Sequence, residues 1–252
     1  MIDVDRRGAV TVLRLDHGKV NALDVDLLHG LVAALDTVED SDTSALVLTS
    51  ATRAFSAGVD LPAVVDGGSD YVEQLIPALS TSFLRLFSSP LPVVAAVNGA
   101  AVAGGCILAC CADRVVLGDG ARIGATELFV GVPFPVGALE VLRFACGVRT
   151  DDVVLSGTLY QGADAVAVGL ADELAAPDVV LDRALEIAEH LGSIPAGAFR
   201  LAKQQLRRPV LERLATDGPV LDPAVRALWA APETIASLVA QMERLAEGRR
   251  SS

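Results

Sequence analysis

The chain is poor in the residues from which metal and disulfide sites are usually built. Its 252 residues include three histidines, His17, His29 and His190, scattered singly. Four cysteines, Cys106, Cys110, Cys111 and Cys146, lie in apolar surroundings without the paired spacing of a zinc site. No metal site is expected, and the cysteines read as small buried hydrophobes in a reducing compartment. Positive charge is scarce too: 20 Lys and Arg stand against 32 Asp and Glu, a formal net charge of −12. Such a chain repels polyanions, which argues against nucleic acid and requires any phosphate-bearing ligand to be held by local basic groups. Hydrophobic residues make up 52%, yet no uninterrupted apolar stretch is long enough to span a bilayer. The first residues, Met1 to Arg7, lack the charged-then-apolar plan of a signal peptide, so a cytoplasmic location with no membrane partner is expected.

What is present is a length sufficient for one sizeable core and a set of periodic segments. Ala9 to Leu15 alternates like a strand, and Asp24 to Val38 has helical spacing with Asp24 available as its cap. Strands are expected at 45–49, 93–97, 113–117 and 121–124, with a helix from Tyr71 to Phe87 and prolines 90 and 92 marking a connection. Beyond Gly131 the pattern is mostly helical, at 138–146, 150–156, 178–191, 196–207 and 233–247. Gly67-Gly68-Ser69 and Asp217-Gly218-Pro219 read as mobile loops.

Two glycine-bearing segments carry the most information: Ala54 to Leu61 (AFSAGVDL) and Val97 to Cys106 (VNGAAVAGGC). Each follows a β-like run, so its glycines fall where a strand gives way to a turn or helix. Either alone is an ordinary strand-to-helix turn. Together they present backbone N–H groups at two element ends, which can converge on one oxygen and stabilise negative charge there.

With these segments, the Asn21-Ala22-Leu23 run, Ile123 to Gly131 (IGATELFVG) and Gly169 to Glu173 (GLADE), the chain resembles the crotonase superfamily, the enoyl-CoA hydratase and isomerase group. The resemblance covers most of the chain. It implies an α/β protein with a crotonase-like ββα spiral core over residues 1–195 and a C-terminal helical trimerisation region over 196–252. It also implies an acyl-CoA substrate, no cofactor beyond the coenzyme A of that substrate, and a homotrimer or dimer of trimers. By position, the oxyanion-hole donors are the N–H groups of Val59 and Gly104, each contributing roughly 2.7–4 kcal/mol to a developing enolate. Glu127 matches the glutamate that faces the substrate's α and β carbons. Its neighbours Leu128, Phe129 and Val130 are expected to desolvate it and raise its pKa. Backbone near Val20, Ala22, Ala57, Asp60 and Leu61 matches the CoA-holding positions. Lys19 is the nearest cation for a CoA phosphate, and equally a solvated loop lysine.

One position departs from the hydratase pattern. Where hydratases of the family carry a second glutamate, on the helix that opens at the oxyanion glycine, this chain has Ile107. Isoleucine neither orients water nor accepts a proton, and a positioned acid–base group contributes about 10²–10⁴ in rate, so hydration should be weak. The runs Ala103 to Ile107 and Leu228 to Ile235 look more like the Δ3,Δ2-enoyl-CoA isomerase branch, in which one glutamate moves a double bond. Two alternatives stand beside that reading: a hydratase with an atypical second acid, and a non-catalytic acyl-CoA-binding homologue. Glu140 is expected to face solvent on its helix, with a role as second acid the less favoured option. Trp229 and Met242 read as core packing. Ser56 and His17 suggest a nucleophile and base, but no third orienting group is identifiable.

Overall fold

The computed structural model describes residues 1–250. The last two positions of the C-terminal region, Ser251 and Ser252, lie outside the described residues. Alternation of apolar side chains builds a six-stranded sheet in the order β1 (Ile2–Arg7), β2 (Val10–Leu15), β3 (Ala45–Ser50), β5 (Val93–Val97), β7 (Arg114–Gly118), β10 (Glu173–Ala175). All neighbours are parallel except the β1–β2 pair. Period two sorts the side chains cleanly. Val10, Val12, Ala45, Val47, Val94 and Ala96 pack under helix α7 (Val180–Gly192), while Leu13, Leu15, Leu46, Leu48, Ala95 and Val97 face the main core.

A second, four-stranded sheet of short strands lies alongside, in the order β4 (Ala54–Ser56), β6 (Ala100–Val102), β8 (Arg122–Gly124), β9 (Tyr160–Gln161). The chain therefore coils: a long strand in the first sheet, a short strand in the second, then a helix or turn. β3 and β4 lead into α2 (Leu61–Phe87), β5 and β6 into α3 (Gly104–Cys110), and β7 and β8 into a 3-10 turn, Glu127–Val130. This is the expected ββα spiral, and each coil delivers one candidate residue at an equivalent place: Val59, Gly104 and Glu127.

Several local expectations are corrected. Residues 2–7, where no strand was expected, form edge strand β1. The glycine segments follow β3 and β5 as expected, but each also contains a short strand that was not expected, β4 in the first and β6 in the second. Gly67-Gly68-Ser69 is a kink within α2, with Gly68 at φ 55°, and not a loop. Asp217-Gly218-Pro219 lies inside α8 (Ala196–Trp229), a single 34-residue helix that carries Pro209, Pro219 and Pro223, and is not a loop. Tertiary contacts hold that helix together: Gly218 is buried, and Asp222 accepts the Val136 N–H at 2.9 Å. α8 is pinned to the spiral by a buried ion cluster in which Asp113 meets Lys203 at 2.7 Å and Arg207 at 2.6 Å. α9 (Pro232–Arg250) then packs on α2 and on the 3-10 turn.

Among the described residues no helix is long and apolar enough to cross a membrane. All four cysteines are buried and unpaired.

Candidate active site

The two glycine segments touch because glycine allows it. A Cβ on Gly58 would stand 2.8 Å from the Val102 carbonyl oxygen and 3.0 Å from the Ala103 side chain, and its φ of 85° is one that L side chains rarely adopt. A Cβ on Gly105 would lie 2.4 Å from the Ser56 carbonyl oxygen. The Asn-Ala-Leu run is stitched to the first segment by parallel bonding: Leu23 N–H donates to Gly58 O at 2.8 Å, and Asp60 N–H to Leu23 O at 3.1 Å. Since those bonds occupy one side of the segment, the N–H of the intervening Val59 points to the other. Gly104 opens α3, and a first-turn N–H has no partner within its own helix. Among the described residues neither of these two N–H groups donates to a protein acceptor. Ala103, just before Gly104, is held at φ 52° and ψ −124°, strain of the kind stored at functional sites, about 1–3 kcal/mol for such a residue.

Asn21 anchors this arrangement. Fully buried and at φ 48°, it donates through Nδ2 to Ser50 Oγ at 2.8 Å and to Phe55 O at 3.1 Å, and accepts the His17 N–H at 2.8 Å. The Asn-Ala-Leu motif thus acts here as a staple between the first coil and the second.

Glu127 follows β8 on the 3-10 turn, 6% exposed. Burial raises its pKa to about 8, opposed only by a hydrogen bond from its own backbone. Its Oε2 is buried without a hydrogen-bond partner among the described residues. The expected neighbours account for the desolvation in part: Leu128, 41% exposed, lies outside the lining of the cavity beside Glu127, whereas Phe129, 68% exposed, and Val130 border that cavity. The rest of the apolar surroundings comes from distant segments.

Those segments enclose a cavity of about 620 Å³. Val59, Gly104 and Glu127 line it, with Ala57, Leu61 and Ile107 from the expected set. Its apolar wall is completed by Leu79 and Phe83 of α2, Val132, and Trp229, whose Nε1 donates to Pro133 O at 2.9 Å. Trp229 is therefore both core and cavity wall. Arg122, Leu159 and Gln241 also line the cavity and carried no local signal in the sequence, since each arrives from a separate element.

The remaining candidates lie elsewhere. Exposed Lys19 and half-buried Val20 and Ala22 sit on the strip beside Ala57, whose N–H donates to Val20 O at 3.0 Å. The Asp60 carboxylate caps α2 by accepting the Ala63 N–H at 3.1 Å. Glu140 corrects its expectation outright: it is 2% exposed and bound by Arg143 at 2.6 Å and Arg213 at 2.5 Å, away from the cavity lining. It neither faces solvent nor reaches the site as a second acid. Ser56 and His17 do not pair, because the Ser56 hydroxyl donates to Asn21 O at 2.7 Å and the His17 ring pairs with Asp24 at 2.6 Å.

A sequence profile described as enoyl-CoA hydratase/isomerase matches residues 5–219. The chain belongs to the enoyl-CoA hydratase/isomerase family. It is 34% identical over 210 residues to a putative enoyl-CoA hydratase of Thermus thermophilus, covering 82% of this chain and 83% of that one. It is 30% identical over 221 residues to the human mitochondrial enoyl-CoA delta isomerase 1, covering 86% and 73%. The crystal structure of human mitochondrial Δ3-Δ2-enoyl-CoA isomerase superposes with a TM-score of 0.93 at 30% identity, covering 98% of both chains. The spiral and its C-terminal helices are thus the crotonase fold, and the protein is an enzyme of this hydratase/isomerase family.

Proposed function

We propose that this enzyme moves the double bond of a 3-enoyl-CoA to the 2-position. The thioester oxygen would sit between the N–H groups of Val59 and Gly104. Glu127 takes a proton from C2, the electron pair delocalises into a dienolate held at that oxygen, and the same carboxyl returns the proton at C4. Protons balance, no water is consumed and no cofactor beyond the substrate's own coenzyme A is needed. The CoA portion would run along Val20, Ala22, Ala57, Asp60 and Leu61, with Lys19 near its phosphates.

The observation that carries this reading is the solitary carboxylate. Among the described residues lining the cavity Glu127 is the one acid, and Ile107, 2% exposed, faces the same cavity where hydratases resembling this chain carry a second glutamate. An apolar wall there favours a reaction that excludes water. The hydratase alternative draws support from the Thermus thermophilus relative, but it loses its candidate acid with Glu140 clamped elsewhere. Assembly as a homotrimer or dimer of trimers is part of the same proposal, with exposed apolar side chains such as Val148, Leu155, Leu206 and Val220 as candidate contacts. Four unpaired buried thiols suit the reducing cytoplasm.

The direct test is to incubate the protein separately with a 3-enoyl-CoA and with a 2-enoyl-CoA in water and follow product. Isomerisation faster than hydration is expected. Faster hydration would reject the single-base reading, and turnover of neither would leave an acyl-CoA-binding homologue.

A further inference from the structure

Arg122 is the one basic residue among those described that line the catalytic cavity, and its charge is uncommitted. Register explains how it gets there: Ile123 is fully buried opposite Ala101 and Tyr160, so Arg122, one residue earlier in β8, projects from the other face. Its guanidinium makes no hydrogen bond or ion pair among the described residues, whereas Arg85, Arg143, Arg183, Arg207 and Arg213 are each paired with a carboxylate. Nor does it serve the catalytic carboxyl, for the pKa of Glu127 is set by burial and its own backbone with no contribution from Arg122.

The same residue borders a second cleft of about 570 Å³, lined also by Thr158, Leu159, Tyr160, Gln161 and Asp164. Arg122 and Leu159 are common to both spaces and form the boundary between them. CoA phosphates enter from the other end in the proposed pose, past Ala57 and Val20, and Arg122 stands two strands away from β4 in the sheet order. In that pose the group that reaches Arg122 is the distal end of the acyl chain and not the CoA portion.

We propose that Arg122 is a specificity determinant that binds a carboxylate at the far end of the substrate's acyl group, so that the preferred substrates are ω-carboxyacyl-CoA esters. The inference rests on the acyl-CoA reading of the cavity. A guanidinium offers two parallel N–H donors to a carboxylate, a match that an alkyl terminus cannot use. Asp164 lines the outer cleft and not the cavity, so a chain long enough to carry its carboxylate past Arg122 meets a like charge. Selection falls on chains that end at the boundary.

The test is calorimetric binding of adipoyl-CoA against hexanoyl-CoA, and of suberoyl-CoA against octanoyl-CoA, to wild type, Arg122→Gln and Arg122→Lys. These saturated esters cannot isomerise, so the result is independent of whether the double-bond shift occurs. Wild type should bind at least one diacid ester about tenfold or more tightly than its alkyl counterpart. Arg122→Gln should collapse that ratio, and Arg122→Lys should keep part of it. An alkyl preference in wild type, or an equal loss of both esters in Arg122→Gln, overturns the proposal. The exposed position of Arg122 makes misfolding of either variant a poor explanation, and a thermal melt of each checks this.

Discussion

Glu127 and Glu140 are both sealed from solvent, at 6% and 2% exposure, and meet opposite surroundings. Glu140 lies in the seam between α4 (Val136–Cys146) and α8, where Arg143 and Arg213 each take one of its oxygens. Glu127 faces an apolar cavity with one oxygen lacking any partner. Burial alone therefore does not make an acid–base group. A buried carboxylate given two cations becomes a fastener, whereas one given none has its pKa raised to about 8 by burial. The contrast is testable from either side.

The largest effect is expected at the cavity. Glu127→Gln keeps the shape and removes the proton-accepting oxygen, so isomerisation of a 3-enoyl-CoA should fall at least about 10²-fold while acyl-CoA affinity stays nearly the same. Steady-state kinetics beside calorimetric binding reads both. A variant that isomerises at the wild-type rate would erase the distinction between the two glutamates.

At the seam the outcome reverses. Glu140→Gln should leave turnover per folded molecule close to wild type and lower stability by about 1–3 kcal/mol, since it strips two arginines of their shared counter-ion. That cost sits below the usual figure for breaking a buried pair because the side chains of Arg143 and Arg213 are 51% and 44% exposed and regain water. Chemical denaturation and specific activity on the same preparations separate the two roles.

The seam also shows where the sequence stops being legible. Helical spacing places Glu140 on α4, but its partner Arg213 lies on α8, and no local pattern links them. The long strands and α1 (Val25–Glu39) were readable because their periodicity is local, and the three coil-end residues because their motifs recur in order. β4 and β6, three residues each, are too short to show alternation, and they are set by pairing with one another. Likewise Val59, Gly104 and Glu127 were legible, whereas Phe83, Trp229 and Arg122 entered the cavity only through packing between remote elements.

The pH dependence sharpens the comparison further. With a folded pKa of about 8 against an ordinary value of 4.5, Glu127 holds a proton in the folded protein that the unfolded chain has released. Wild-type stability should therefore decline through this group as pH rises from about 4.5 to about 8 and then level off. Glu127→Gln removes that slope, so its melting temperature relative to wild type should climb by on the order of ten degrees across the window. Because the ionised form is the base, kcat/KM should rise with pH through about 8 over the same range. A variant-minus-wild-type difference that is flat with pH would mean that Glu127 is already ionised at neutrality.

The smallest effect is expected from supplying what the cavity lacks. Ile107→Glu sets a second carboxyl on α3 beside the same space as Glu127, where it has the chemistry to hold a water against a 2-enoyl-CoA. Two obstacles keep the gain small. Ile107 is 2% exposed, and no described cation with an uncommitted charge lines the cavity except Arg122, which does not act on Glu127; a new carboxylate there is desolvated and repels Glu127 once either ionises. At neutral pH the pair should share a proton, which suits one step of hydration and not the whole cycle. A trace of hydration above the wild-type level, with a lower melting temperature, is the expected result. Hydration as fast as wild-type isomerisation would mean that the second carboxyl alone separates the two chemistries. No hydration in a variant that still melts cooperatively and binds acyl-CoA would mean that the shape of this cavity, and not Ile107, keeps water out.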